Sequence, residues 1–316
     1  RLRMQQLSSL LETAIVGRQI AAALDVGSNR GDFVRWLRSI RPDCNITALE
    51  PDASLVEEYR TVPDILWETR FENAKLPLEQ FDLIHCCHTL EHAASAAQMI
   101  SGMHLALKPG GLLFIEVPAL SSLAWPHNVE EFFIDKHTFH FDRSTLCDYL
   151  TASGFRIVST PETGPHITIF AEKYAKPAKP AALARNPGQV EANRQLIGEF
   201  KEMLARNREQ LKTAVGRLHA LCARQKVGIW GGGRMFDALV RFGGLDPSKI
   251  HLLIDQYLSG LAMENHGLAI QRPETLKSSG IQVLVVLARN SCPEIIASAR
   301  RFGVKNIVRF EDLMQQ

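Results

Sequence analysis

The chain has 316 residues, of which 46% are hydrophobic and 22% charged, and its formal net charge is +2. This length allows two domains that each bury a core, and the composition is that of an ordinary globular protein. The near-balanced charge, without a dense Lys/Arg stripe, excludes a strongly basic nucleic-acid-binding surface, so we expect no nucleic-acid partner. No apolar run approaches the roughly 20 residues that cross a bilayer.

The N-terminus lacks the apolar stretch of a signal peptide, so we expect a cytoplasmic protein. The six cysteines include no C-x-x-C pair. We therefore expect neither a structural zinc site nor a disulfide framework, and we predict no bound metal ion. The sequence does not predict the oligomeric state.

Strand-like apolar runs alternate with helical patterns over residues 20–171, which is typical of a parallel sheet with crossover helices. The predicted strands are residues 20–26, 45–49, 65–68, 81–87, 112–117, 155–159 and 166–171. The Pro- and Gly-containing turn between the last two predicts a closing antiparallel hairpin. We predict a doubly wound α/β domain over residues 1–175.

The composition changes after this domain. The prolines of residues 176–187 indicate a stiff linker, and an apolar stripe over residues 189–225 indicates a long helix, so residues 176–225 form a connecting segment. Further strands are predicted at residues 226–230, 250–255, 281–287 and 306–309, with helices near 235–241 and 293–302. Residues 226–316 are thus a second, smaller α/β domain of Rossmann-like pattern.

The strongest functional signal is residues 25–31, where an apolar strand ends in an acid and a glycine turn precedes an amphipathic helix. Gly27 permits a tight turn, and Gly31 lets the start of the helix approach the ligand closely. Asp25 can bind a cationic amino group, while backbone N–H groups of the turn can bind a carboxylate. Asn29 replaces a glycine of the dinucleotide fingerprint, which favours S-adenosylmethionine over NAD. The cofactor-binding residues predicted in this turn are Asp25, Gly27, Ser28, Asn29 and Gly31.

Further candidates follow the next strands. Glu50, followed by Pro51, ends the second strand nineteen residues beyond Gly31, where a carboxylate can accept both ribose hydroxyls. Glu72 follows the third strand and is expected near the adenine amino group, and His88 follows the fourth. Any one of these acids could be a helix cap or a surface charge. Their shared order and spacing favour one cofactor site.

With these motifs, residues 20–171 resemble a class I, seven-stranded methyltransferase. The resemblance implies a Rossmann-like sheet with S-adenosylmethionine as the cofactor. It also implies that Glu91, after the fourth strand, borders the methionine end of the cofactor or the acceptor channel. The structural alternative is that Glu91 complements the dipole of a helix N-terminus.

The segment after the fifth strand, residues 126–150, combines histidines, acids and aromatic side chains. The sulfonium of the cofactor already supplies the electrophile, so methyl transfer requires a protein base that removes a proton from the acceptor and makes it a nucleophile. Histidine suits this task, since its unperturbed pKa is about 6.5. We predict His137 as the base and His140 as a second candidate. The alternative for either is a structural histidine that hydrogen bonds to the backbone.

This segment and the tail resemble the deoxysugar C-methyltransferase family, whose members methylate a nucleotide-linked keto sugar. The family's Tyr-His-Glu-His motif aligns with residues 134–137, where the final histidine matches. The tail resembles the family's C-terminal domain over about residues 226–312, through residues 227–233, 253–255 and 273–276. The family's N-terminal zinc module has no counterpart in this sequence.

The sequence therefore predicts an S-adenosylmethionine-dependent methyltransferase that acts on a sugar acceptor, either a nucleotide-linked sugar or a glycan precursor. It leaves C- and O-methylation open. One alternative is a small-molecule O- or N-methyltransferase unrelated to sugars, and another is a scaffold that binds the cofactor without turnover. A nicotinamide oxidoreductase is a further alternative, but Phe236 occupies the third glycine position of a dinucleotide fingerprint at residues 231–236.

Overall fold

In the computed structural model the described residues are 2–126, 128–174, 186–260, 262–288 and 292–315. The chain divides into two compact units, the first comprising Arg1–Ser122 and Phe133–Asn193, the second Leu123–Phe132 and Arg194–Gln316. Most of the predicted linker, residues 176–185, lies outside the described residues. Within the described ranges, none of the helices is both long and apolar enough to span a membrane.

The first unit contains a seven-stranded sheet in the order β3-β2-β1-β4-β5-β7-β6. The strands are β1 (Ala22–Val26), β2 (Asn45–Leu49), β3 (Ile65–Trp67), β4 (Phe81–Cys87), β5 (Leu107–Pro118), β6 (Phe155–Ser159) and β7 (His166–Lys173). Strand β7 pairs antiparallel with β5 and β6, and the other pairs are parallel. The predicted Rossmann-like α/β sheet is confirmed.

Five α-helices accompany this sheet among the described residues: α1 (Leu2–Ile15), α2 (Asp32–Ile40), α3 (Ala53–Val56), α4 (Ala96–Ala106) and α5 (Arg143–Ala152). Side chains cap three of these helices, since Asp52 accepts from Ser54 N, Ser95 accepts from Gln98 N and Asp142 accepts from Thr145 N. Helix α1 is not among the elements predicted from sequence. It buries Leu7, Leu11 and Ile15, which at a spacing of four lie on one helix face.

The core lies on both faces of the sheet. Successive residues of a strand point to opposite faces. Accordingly, Leu83 of β4 belongs to the core cluster that includes residues of α1 and α2, whereas Ile84 packs in the cluster with α4. Helices therefore cover the sheet on both sides. The carboxyl ends of β1, β2, β4 and β5 remain as the edge at which an open α/β sheet binds ligands.

The second unit contains a six-stranded sheet in the order β10-β11-β9-β8-β12-β13. Its elements follow α6 (Pro187–Cys222), and they are β8 (Val227–Trp230), α7 (Arg234–Arg241), β9 (Leu252–Ile254), β10 (Glu264–Asn265), β11 (Leu268–Gln271), β12 (Val283–Val286), α8 (Cys292–Arg301), β13 (Ile307–Arg309) and α9 (Phe310–Gln315). The hairpin β10–β11 is added to the four strands predicted from sequence. The predicted apolar stripe of the long helix is buried at Phe200, Leu204, Leu211, Val215 and Leu218.

Candidate active site

The turn after β1 contains three residues in the left-handed backbone region. These are Gly27 (φ 73°), Asn29 (φ 48°) and Gly31 (φ 70°), a region that glycine occupies without a steric penalty. The N–H groups of Gly27 and Ser28 both donate to Leu49 O at 2.9 Å. The end of β2 therefore fixes the turn that leads into α2.

The two glycines of this turn make room for side chains of the protein itself. A Cβ added at Gly27 would overlap Thr89 Oγ1, and a Cβ added at Gly31 would overlap the ring of Tyr59. Gly31 thus lies against Tyr59, which is a buried side chain, and the close approach of a ligand to Gly31 stays a prediction. Neither Thr89 nor Tyr59 was identifiable from the sequence, because both lie far from the turn along the chain.

Asp25 lies one residue before the end of β1 and is 1% exposed. His85 Nδ1 lies 2.7 Å from Asp25 Oδ1, and because a carboxylate only accepts, the Nδ1–H group donates. The His85 ring stacks between Phe33 and Phe114, with centroid distances of 3.9 and 4.9 Å. Asp25 Oδ2 is buried without a hydrogen-bond partner among the described residues. This second oxygen remains able to bind a cationic amino group.

Glu50 follows β2 directly and is 6% exposed. Its Oε2 accepts from Asn29 N at 2.7 Å, and its Oε1 accepts from Asp52 N at 3.0 Å. These bonds fix the carboxylate while each oxygen keeps a further lone pair. Glu50 can therefore still accept two hydroxyl groups of a ribose.

Two other predicted cofactor residues are more exposed. Pro51 is exposed beside Glu50. Glu72 is also exposed, and its Oε1 accepts from Ala94 N at 2.9 Å. The carboxylate of Glu72 thus links the segment after β3 to the segment after β4. Its predicted proximity to adenine stays a prediction.

His88 lies between two carboxylates. Its Nδ1 is 3.3 Å from Glu91 Oε1, and its Nε2 is 3.5 Å from Glu116 Oε1. Burial lowers the pKa of His88, but the two carboxylates outweigh burial and raise the pKa to about 9. Glu116 in turn accepts from Arg3 Nε at 2.7 Å and from Thr168 Oγ1 at 2.6 Å. The predicted cofactor residue His88 is therefore part of a charged network that reaches helix α1.

This network predicts a pH dependence of stability. Burial alone would raise the pKa of Glu116, but hydrogen bonds from His88, Arg3 and Thr168 hold the pKa well below its usual range. A depressed folded-state pKa contributes stability that is complete above the unfolded pKa of about 4.3 and is lost as the pH falls. Glu116→Gln should therefore lower the free energy of unfolding most at neutral pH, and by less towards about pH 3. Urea unfolding across this range measures the difference, and a constant difference contradicts the prediction.

The predicted catalytic residues cluster beside this network. Glu91 is 1% exposed, and its Oε1 lies 4.0 Å from His92 Nε2. The rings of His92 and His137 have their centroids 5.0 Å apart, and the His137 and His140 centroids are 6.1 Å apart. Burial lowers the pKa of His140, which favours its neutral form. The structure thus brings Glu91, His137 and His140 into one region of the first unit.

Comparison with known proteins indicates the class of protein to which this chain belongs. Residues 4–160 match a family model described as a methyltransferase domain. The C-methyltransferase NovU of Streptomyces niveus is 26% identical over 294 residues, which cover 88% of this chain and 69% of NovU.

Solved structures of methyltransferases also align with the chain. An S-adenosylmethionine-dependent methyltransferase from Mesorhizobium loti is 19% identical, with a TM-score of 0.41. The alignment covers 48% of this chain and 90% of the other. The 1,6-didemethyltoxoflavin-N1-methyltransferase of Burkholderia thailandensis, solved with S-adenosylhomocysteine, is 18% identical with a TM-score of 0.43, covering 54% of this chain and 78% of the other.

The matched domain and the seven-stranded sheet define this chain as an S-adenosylmethionine-dependent methyltransferase. S-adenosylmethionine is its cofactor, and the site fits that molecule on two observations. Asp25 Oδ2 is a buried oxygen without a hydrogen-bond partner among the described residues, and Glu50 presents an oriented carboxylate at the end of β2. In particular, the chain is similar to a C-methyltransferase over most of its length.

Proposed function

We propose that this methyltransferase acts on a sugar acceptor, either a nucleotide-linked sugar or a glycan precursor. Similarity to the C-methyltransferase NovU supports the proposal and extends into the second unit, since it covers 88% of the chain. The observation that carries the proposal is the cluster of Glu91, His92 and His137. These residues follow strands β4 and β5 in the unit that also holds the cofactor turn.

The cofactor is assigned to the turn and to the acids at the strand ends. In this proposal Asp25 Oδ2 binds the amino group of the methionine moiety, while the N–H groups of Gly27 and Ser28, which both donate to Leu49 O, hold the turn beside it in place. Glu50 accepts the ribose hydroxyls. Pro51, Glu72 and His88 line the remaining part of the cofactor site.

The acceptor is assigned to the histidine cluster. The methyl carbon of the sulfonium is already electrophilic, so the acceptor must lose a proton to become a nucleophile. We assign the promotion of this proton loss to His137, with Glu91 and His140 as its neighbours. The same requirement holds for an oxygen nucleophile and for a carbon nucleophile beside a ketone.

Transfer of a labelled methyl group tests the function. The full chain, incubated with labelled S-adenosylmethionine and separate pools of nucleotide sugars, glycan precursors, phenols and amines, should label a nucleotide sugar or a glycan precursor. Calorimetry with S-adenosylhomocysteine on the same sample verifies that the cofactor site is intact. Labelling of phenols or amines alone contradicts the sugar assignment. Cofactor binding without transfer to any pool contradicts turnover altogether.

Glu50→Gln tests the cofactor assignment. The amide replaces one acceptor oxygen by a donor, which opposes the N–H group of Asn29 or Asp52 and weakens the bonds to the ribose. We expect the Kd of S-adenosylhomocysteine to rise by about 30-fold, or roughly 2 kcal/mol. Glu57→Gln is the matched control, because the Glu57 side chain is 77% exposed, and its Kd should equal that of the wild type. An unchanged Kd in Glu50→Gln removes Glu50 from the cofactor site.

A further inference from the structure

We propose that Glu91, His92 and His137 bind one divalent transition-metal ion of the zinc class, and that this ion holds an oxygen of the methyl acceptor. The inference rests on the proposed function, because it assigns a role to the acceptor of that reaction. It also differs from the expectation that the sequence gives, which is that no metal ion is bound.

The donor atoms are already close together. One ligand atom from each of the three residues lies within 4.8 Å of the other two, and Glu91 Oε1 is 4.0 Å from His92 Nε2. In a tetrahedral zinc site with bonds of about 2.0–2.1 Å, ligand atoms lie about 3.4 Å apart. The three donors therefore need to close by roughly an ångström, which side-chain rotation supplies. One carboxylate with two imidazoles is a donor set that suits zinc and related ions.

A backbone hydrogen bond fixes the tautomer of His92 so that Nε2 can bind a metal ion. His92 Nδ1 lies 2.7 Å from Lys136 O, and a carbonyl oxygen only accepts, so Nδ1 carries the proton. In the neutral ring Nε2 then carries a lone pair, and Nε2 is the atom that faces Glu91. Two acceptors that face each other are stabilised by a cation between them. A backbone carbonyl that binds the other ring nitrogen is also the usual partner of a metal-bound histidine.

The carboxylate of Glu91 has one oxygen that accepts no hydrogen bond from the described residues. Glu91 Oε2 is buried and has no hydrogen-bond partner in the part of the chain that the structure describes. His88 Nδ1 lies beside the other oxygen, Oε1, at 3.3 Å. Leaving a buried acceptor without a hydrogen bond is unfavourable, and more so when the group is charged. A cation bound to the Glu91 carboxylate, whose Oε1 lies towards His92, would offset this cost.

The two segments that supply the ligands are tied together by the backbone. Phe139 N donates to Glu91 O at 3.1 Å, and Lys136 O accepts from His92. His137 lies between these two contacts, and its own N–H donates to Ile134 O at 2.9 Å in a tight turn. The position of His137 relative to Glu91 is therefore set by hydrogen bonds on both of its sides.

Three protein ligands leave one position of a tetrahedral ion open, which is the arrangement of catalytic zinc sites. An acceptor oxygen in that position has its charge stabilised by the ion, so the pKa of the proton that must leave falls. The proton passes to water, and the electron pair it leaves forms the bond to the methyl carbon. The electron pair of the broken C–S bond stays on the sulfur of S-adenosylhomocysteine. His137 then promotes proton loss as a ligand of the ion.

A second cluster, Cys87, His88 and Glu116, also brings three donor atoms together. Both carboxylate oxygens of Glu116 are already engaged, by the Arg3 guanidinium and by Thr168. The positive charge of Arg3 opposes a metal cation there. This cluster therefore provides the matched control for the experiment.

Calorimetric titration of the chelator-treated full chain with Zn²⁺ tests the proposal, and Co²⁺ serves as a spectroscopic probe. We expect one equivalent to bind. Glu91→Gln and His92→Gln should each weaken binding by at least about 100-fold, whereas Cys87→Ser should leave it unchanged. The Co²⁺ spectrum should lack the charge-transfer band of a thiolate ligand. Absence of stoichiometric binding, a thiolate band, or loss of binding in Cys87→Ser overturns the proposal.

S-adenosylhomocysteine binding, measured on the same samples, separates this inference from the proposed function. A wild-type chain that binds S-adenosylhomocysteine but not Zn²⁺ overturns the metal site alone. Failure to bind S-adenosylhomocysteine overturns the cofactor assignment, while the zinc titration still tests the metal site. The His92 side chain is 40% exposed, so we expect the His92→Gln variant to fold even if the Glu91→Gln variant does not. Thermal unfolding of both variants measures whether each is folded.

Discussion

Replacing His137 by glutamine should lower kcat by at least about 100-fold while the Kd of S-adenosylhomocysteine changes less than about twofold. Glutamine neither takes a proton at neutral pH nor binds a divalent cation as imidazole does. Its size is similar, and the hydrogen bond from residue 137 N to Ile134 O belongs to the backbone. The turn that carries the side chain should therefore persist. Steady-state kinetics with the acceptor from the labelling experiment measures the loss.

His251→Gln is the control for this prediction. His251 is an exposed histidine of the second unit, with Nε2 lying 3.2 Å from Ser279 O, and its replacement should leave kcat unchanged. Full turnover in His137→Gln would remove His137 from catalysis. Loss of S-adenosylhomocysteine binding would indicate that His137 supports the fold of the cofactor site instead. Partial recovery of His137→Gln with added Zn²⁺ distinguishes a ligand, whose loss weakens ion binding, from a general base.

Local sequence patterns predict the strands of the first unit because each strand is a short apolar run bounded by turn residues. Strand β4 and the hairpin β6–β7 follow this rule. Helix α1 contains no such run, because its first turns mix Arg and Gln with Leu and Met, and its buried side chains Leu7, Leu11 and Ile15 are four residues apart. Strand β10, with two residues, is too short for any periodicity to show.

The location of an acid at the end of a strand can be predicted from the sequence, because it requires only that an acidic residue follows or ends an apolar run. The partners of these acids cannot be predicted in this way, because pairing across a sheet depends on register. Asp25 is opposite His85 in the β1–β4 ladder, and Glu116 is opposite both Cys87 and Thr168. A shift of one residue in either ladder would turn these side chains to the other face. Nothing local in the sequence fixes that register, so His85 and Glu116 emerge only from the fold.

The cofactor turn gives the last prediction, which concerns Gly31. Gly31→Ala should lower the free energy of unfolding by about 3 kcal/mol, combining roughly 1–2 kcal/mol for a Cβ in the left-handed region with overpacking. Overpacking arises because the new Cβ would overlap the ring of Tyr59. Tyr59 is buried in the core beside α2 and cannot move outwards without opening a cavity. Urea unfolding at neutral pH measures the change.

Gly110→Ala separates the two causes. Gly110 has a φ of 75°, yet a Cβ added there would meet nothing within 4 Å, so Gly110→Ala should show the backbone cost alone, about 1–2 kcal/mol. Combining Gly31→Ala with Tyr59→Leu should cost less than the sum of the single changes, because the smaller side chain relieves the overlap. Equal losses in Gly31→Ala and Gly110→Ala would show that Tyr59 exerts no steric constraint. Gly31 would then be required by backbone conformation alone, and close packing against Tyr59 would not be what positions the start of α2 beside the cofactor turn.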